Sequence, residues 1–346
     1  MTPTGAKRTW TMGRRGFMQA ACAAPCLSAL SLVGREGVGR DGAMRIGVNL
    51  VEDAAAPFGN AAALRSFRDL ARAGASVVAL IPFFWQPGEN DPRLVPGSAL
   101  SPDGLRRGMA QARECGLDIV VKPHVWVPER WAGAIFFTAE EDWTAWFAAY
   151  ENALLPHAKA AAEGGATTFC IGTELRHTTG RPEWGGIIER LRDAFPGRLT
   201  YVAHNAAGAA AVAFWDRLDM IAMTSYPVLG PGSDPAAWRK AMRVELSVLR
   251  GLGVRHAKPA WLGEIGLRSV GGATLRPWES AEERAGTPNL AVQRDVLSAW
   301  LDEARALGID TALIWRWLSD PDGGGSGDTD FTIQNKPASR LLRHGR

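Results

Sequence analysis

Residues 102–124 read PDGLRRGMAQARECGLDIVVKPH. Their first part, Pro102–Glu114, carries a helical pattern that stops at Gly116, the residue type that most often ends a helix. Their second part, Leu117–His124, is a near-continuous apolar run. Such a run fits a strand of a parallel sheet, buried on both faces. Lys122 and His124 fall on one face of that strand, because side chains alternate with a period of two.

The same unit recurs along the chain. Apolar strand runs lie at Arg45–Leu50, Ser76–Pro82, Thr167–Glu174, Leu199–His204, Leu218–Tyr226, Pro259–Glu264 and Thr311–Trp317. Helical patterns lie at Asn60–Ala73, Glu141–Glu163, Pro182–Phe195, Ala236–Leu252 and Pro288–Leu307, the last stopping at Gly308. Eight βα units predict an α/β fold, a (β/α)8 TIM barrel, which typically takes ~250 residues plus insertions. A doubly wound open sheet would need a glycine-rich phosphate turn after its first strand. Asn49-Leu50-Val51-Glu52-Asp53 stands there instead. Residues 44–346 read as one domain, without a linker or a solenoid repeat.

Residues 1–43 read as an address. Arg14-Arg15 is followed by an apolar run from Phe17 to about Val33, as in a twin-arginine export signal. The run is short for a membrane span, which needs ~20 apolar residues. The expectation is export through the twin-arginine machinery to the periplasm or beyond, with no stable span in the mature form; a retained N-terminal anchor is the alternative. Cys22 and Cys26 fall in this segment, whereas Cys115 and Cys170 read as buried thiols.

The whole chain of 346 residues has a net charge of +3. Residues 1–43 hold six of the 39 Lys/Arg and two of the 36 Asp/Glu, so 33 basic residues face 34 acidic ones in the rest. A nucleic-acid partner loses its global support. With 46% hydrophobic and 22% charged residues, the chain is neither disordered nor fibrous. Fourteen Trp against three Tyr supply flat surfaces suited to sugar rings as well as to cores.

Chemistry in such a barrel sits at the C-terminal strand ends. Glu174 ends Cys170-Ile171-Gly172-Thr173-Glu174-Leu175, and Glu264 ends Trp261-Leu262-Gly263-Glu264. These strands are the fourth and seventh, nearly opposite on the ring. Two converging carboxyls suit glycoside hydrolysis, one as a proton donor and one as an ionised nucleophile or base. Either Glu alone could instead be a cap or an ion-pair partner at a strand–helix junction. Around them, His124, His204, Asn205 and Tyr226 are candidate sugar contacts. Lys122, one layer deeper, is placed to pair with a carboxylate. Tyr226 is placed to donate its hydroxyl to Glu264. Trp317 is expected near the mouth as a platform under the sugar, with Trp315 in the core. Trp85, Trp126 and Trp131 are candidates for outer sugar sites.

Neither a cofactor motif nor a zinc motif is present, so no cofactor and no catalytic metal are expected. The glycine-rich Gly323–Gly327 stretch, flanked by Asp320, Asp322, Asp328 and Asp330, lacks the EF-hand pattern and reads as a mobile lid or a plain loop. Its acidity argues against a phosphate-handling barrel.

Several motifs in order carry a resemblance: Pro82-Phe83-Phe84-Trp85-Gln86, Val121-Lys122-Pro123-His124-Val125, Cys170 to Leu175, Thr224-Ser225-Tyr226-Pro227, Gly263-Glu264-Ile265-Gly266, Trp315-Arg316-Trp317 and Lys336-Pro337-Ala338. From about Met44 onward the chain resembles glycoside hydrolase family 113, within the retaining clan A of (β/α)8 glycosidases. The resemblance implies Glu174 as acid/base, Glu264 as nucleophile, and cleavage of β-1,4-mannan by double displacement. The clan usually has Asn before the acid/base to hold the sugar 2-hydroxyl; this chain has Thr173, and His204 or Asn205 is a possible replacement. Two other readings remain: a glycosidase that trims a secreted bacterial exopolysaccharide, and a carbohydrate-binding barrel without turnover.

Overall fold

The computed structural model describes residues 44–96 and 100–345. Residues 1–43, read above as an export signal, lie outside the described residues. In chain order the strands are β1 (Arg45–Val51), β2 (Val77–Leu80), β3 (Phe83–Trp85), β4 (Val95–Pro96), β5 (Asp118–Val121), β6 (His124–Trp126), β7 (Thr168–Thr173), β8 (Arg198–His204), β9 (Met220–Ser225), β10 (Ala260–Ile265) and β11 (Thr311–Leu318). The helices are α1 (Ala61–Ala73), α2 (Pro102–Glu114), α3 (Glu140–Gly164), α4 (Trp184–Ala194), α5 (Asn205–Ala211), α6 (Pro235–His256) and α7 (Leu290–Ala306).

Eight strands close into one parallel barrel, in the order β1-β11-β10-β9-β8-β7-β5-β2. Neighbours on the ring are successive barrel strands in the chain, with helices crossing between them, which is the (β/α)8 arrangement expected from the sequence. The fifth crossover helix, α5, is a short one, and a 3-10 helix at Pro337–Gly345 follows β11. Gly116 and Gly308 adopt φ of 69° and 67°, the left-handed turn that a helix stop requires and that glycine reaches without a Cβ clash.

Alternation along the strands builds two cores. Val77, Ala79, Val120, Cys170 and Leu313 fill the barrel interior. Val78, Leu80, Ile119, Val121 and Ile314 pack outward against the helices. Burial pushes the Cys170 thiol up to about 12, so it sits in the barrel as a small inert apolar group. Cys115 is half-buried, and both cysteines are free thiols.

The run Leu117–His124 is one strand in the sequence reading, and the structure divides it at Pro123; the run Ser76–Pro82 ends at Pro82, and a further strand that the reading did not include starts directly after it. Pro has no N–H to give the ladder. After Pro82 and Pro123 the chain leaves the barrel and forms a small rim sheet, β4-β3-β6. There Phe83 pairs with His124 and Trp85 with Trp126. His124 donates its backbone N–H to Pro82 at 2.9 Å, so the proline carbonyl starts the new ladder.

The Gly323–Gly327 stretch is tied down. Gly325 N–H donates to the Gln334 carbonyl at 3.1 Å, and Asn335 Nδ2 donates to the carbonyls of Pro321 and Gly323, both at 2.9 Å. It is a pinned turn, not a free lid.

Candidate active site

Three site-bearing strands step out of register before they end: β7 between Cys170 and Thr173, β10 between Leu262 and Glu264, and β11 beside the Asn49/Leu50 junction of β1. A bulge adds one residue to a strand and re-aims the side chains beyond it. On β10, Trp261 faces the barrel axis and Leu262 the helices. Strict alternation would turn Glu264 outward, and the extra residue, Gly263, turns it in.

Glu264 is fully buried and held from two sides. Lys122 Nζ donates to its Oε2 at 2.7 Å, and Tyr226 Oη donates to its Oε1 at 2.7 Å. His124 Nε2 stands 3.8 Å from Oε2. Lys122, itself fully buried, also donates to Asn49 Oδ1 at 2.7 Å. Asn49 in turn donates to the carbonyls of Gly263 at 3.3 Å and Leu313 at 3.4 Å, which fixes its oxygen toward the lysine. A buried ion pair is tolerated when further hydrogen bonds satisfy both charges, as here.

Glu174 is buried, with a φ of 56°. That left-handed backbone is uncommon for a residue with a Cβ and needs outside support. Its N–H donates to Val202 at 2.8 Å, and its carbonyl accepts from Arg176 N–H at 2.8 Å. Its side chain meets two partners on one oxygen. Thr224 Oγ1 donates to Oε1 at 2.6 Å, and His204 Nδ1 lies 3.0 Å from the same atom.

One strand joins the two carboxylates. Thr224 and Tyr226 stand two residues apart along β9 and its exit, so they project to the same side. The first donates to Glu174 and the second to Glu264. Thr224 is also the register partner of Glu264. The sequence reading missed Thr224, although its spacing from Tyr226 was a usable signal.

Pockets flank this pair. One is lined by Phe83, His124, Trp126, Arg130, Trp131 and Glu174. Another is lined by Tyr226, Trp278, Glu282, Trp315, Arg316 and Phe331. Trp131 packs on His204 with centroids 4.5 Å apart, and Trp85 meets Trp126 at 6.0 Å on the rim sheet. His124, His204, Lys122 and Tyr226 are therefore brought together, and the rim tryptophans border them. Among the described residues, no group of three or more His, Cys, Asp or Glu side chains is placed to hold a metal ion.

Three expectations change. Trp315 and Trp317 exchange places: Leu50 pairs with Trp317 where Asn49 pairs with Trp315, so Arg316 is the extra residue. Trp315 thus faces the interior and stacks on His124 at 5.5 Å and 23°. Trp317 packs in the outer core and donates Nε1–H to Ser66 on α1 at 2.8 Å. Asn205 is committed to the start of α5, its Oδ1 accepting Gly208 N–H at 3.0 Å. Thr173 lines the first pocket, but its hydroxyl donates to the Pro123 carbonyl at 3.0 Å and ties β7 to the rim.

The exchange makes a prediction. Trp317→Ala lowers unfolding free energy by about 3–5 kcal/mol, the usual range for a buried Trp→Ala change, and leaves KM near its native value. Trp315→Ala raises KM and lowers turnover as well as stability. Denaturant melts and steady-state kinetics on the two variants check this; a KM effect confined to Trp317→Ala would reverse the assignment.

The chain matches the model of Glycoside Hydrolase Family 113 over residues 51–336. No curated protein matches it. Among solved structures it is similar to the GH113 β-mannanase AaManA from Alicyclobacillus acidocaldarius in complex with ManMIm, with 25% identity, 88% of this chain and 97% of that chain covered, and a TM-score of 0.76. A GH113 β-1,4-mannanase complex has 22% identity over 87% of this chain and 97% of that one, with a TM-score of 0.73. The hyperthermostable endo-1,4-β-D-mannanase from Thermotoga petrophila RKU-1 shares the fold at 16% identity, 87% and 98% coverage and a TM-score of 0.56. With its barrel and most of its length matched to one family of hydrolases, the chain belongs to glycoside hydrolase family 113.

Proposed function

We propose that this glycoside hydrolase cleaves a β-1,4-mannan-type polysaccharide with retention of configuration, using Glu264 as nucleophile and Glu174 as acid/base. The observation that carries it is the unequal setting of two inward carboxyls joined through β9. Both oxygens of Glu264 accept from donors, one of them cationic. That suits a carboxylate aimed and ready to attack the anomeric carbon. Glu174 has two partners on Oε1. Neither of these partners is a lysine or arginine, a setting that suits a carboxyl that gives up and regains a proton.

In the first step Glu264 forms a bond to the anomeric carbon as the glycosidic bond breaks and Glu174 protonates the departing oxygen. In the second, Glu174 takes a proton from water, which displaces Glu264 and releases the sugar. Trp315 supports the ring at the cleavage point. His204 and His124 are the residues placed to meet sugar hydroxyls.

A neutral polymer suits the flanking pockets. Arg316 is paired with Asp330 at 2.5 Å, and Arg130 with Glu89 at 2.9 Å. The similar family 113 structures are of mannanases, which places mannan first. The Arg14-Arg15 segment supports an exported enzyme, acting in the periplasm or outside the cell. Reducing-sugar release from β-mannan, cellulose, xylan and a charged bacterial polysaccharide tests the substrate. Release from mannan above the others is expected; release from the charged polysaccharide alone would replace this reading with exopolysaccharide trimming, and binding without release would leave a carbohydrate-binding barrel.

A further inference from the structure

Glu245 lies on α6, outside the barrel, with no motif around it. Its Oε2 accepts Ala206 N–H at 2.8 Å and faces Ser225 Oγ at 3.4 Å. Ala206 stands two residues beyond His204, the partner of Glu174. Ser225 stands between Thr224 and Tyr226, the donors to Glu174 and Glu264. Between His204 and Ala206 the chain passes through Asn205 at a φ of 52°. That turn out of β8 needs a fixed point beyond it, and the shorter of the two Glu245 contacts supplies one. Burial raises the Glu245 carboxyl, while the Ala206 N–H, the Ser225 hydroxyl and the His204 ring pull it the other way.

We propose that Glu245 is a positioning residue for the acid Glu174, acting through His204. This rests on the assignment of Glu174 as the proton donor. The carboxylate anchors the backbone that carries His204, and the imidazole then holds Glu174 Oε1 in place. Loss of the anchor lets the imidazole drift and loosens proton delivery to the leaving group. Glu264 keeps Lys122 and Tyr226, so attack itself is largely spared.

Leaving-group dependence separates this from a simple stabilising role. Phenyl and 2,4-dinitrophenyl β-mannobiosides are the probes, because phenolate needs protonation to leave and dinitrophenolate does not. For Glu245→Ala, kcat/KM on the phenyl glycoside is expected to fall about 10-fold, and on the dinitrophenyl glycoside less than about 2-fold. Glu245→Asp withdraws the carboxylate by one methylene and keeps its charge. It is expected to show the same selective loss, smaller in size, and it carries the test should the alanine variant fail to fold. Equal losses on both glycosides, or none on either, would overturn the proposal. Glu174→Ala is run beside them. If it too shows no selectivity, the assignment of Glu174 fails first and the proposal goes with it.

Discussion

Glu264→Gln is expected to lower kcat on mannan by about 10⁴-fold or more, the scale on which removal of a covalent nucleophile is felt. The amide is nearly isosteric, so the barrel has no cavity to answer. It cannot attack, and one end of it is now a donor facing Lys122 or Tyr226, each of which already donates to the carboxylate. Reducing-sugar release by residues 44–346, wild type against variant, measures the effect. Equal release by both proteins would remove Glu264 from the chemistry.

Lys122→Met is expected to lower stability and activity together. Lys122 and Glu264 are both fully buried and 2.7 Å apart. Removing one partner of such a pair leaves a charge in the interior without its counter-ion, at a typical cost of about 3–5 kcal/mol. Turnover falls too, because the carboxylate loses its lysine donor. Combining Lys122→Met with Glu264→Gln removes both charges and is expected to regain much of the lost stability, although not the activity. Urea unfolding of the two single variants and the double variant reads this directly. A single Lys122→Met variant as stable as wild type would show that the pair contributes nothing to the fold.

The barrel was legible because its signals are local and repeated. Apolar runs marked buried parallel strands, and glycines marked helix ends, as at Gly116 and Gly308. The strand-end rule then found Glu174, Glu264, His124, His204 and Tyr226 without any contact being known. Period-two alternation failed where a strand carries an extra residue. Nothing in Leu313 to Leu318 announces that Arg316 will be the bulged residue, so Trp315 and Trp317 were transposed. Glu264 escaped the same error only because it was placed by its position at a strand end, not by counting faces. Thr173 and Asn205 were read for their functional groups, and in each one polar atom is engaged by a backbone partner close at hand. Glu245 was out of reach, because its role depends on how α6 meets α5 and β9, and no spacing along the chain encodes that.

Pro82 and Pro123 also separate two tasks that selection must solve in one molecule. The closed ring below them holds the reacting groups through Lys122, Thr224 and Tyr226. The small sheet above them carries Trp85 and Trp126 and begins a fresh ladder of its own. Substitution or lengthening of that rim can recut the cleft for a different polymer while the register of the ring beneath stays as it is. Two residues that cannot donate a backbone hydrogen bond thus mark the boundary between the ring that holds the reacting groups and the rim that borders the cleft.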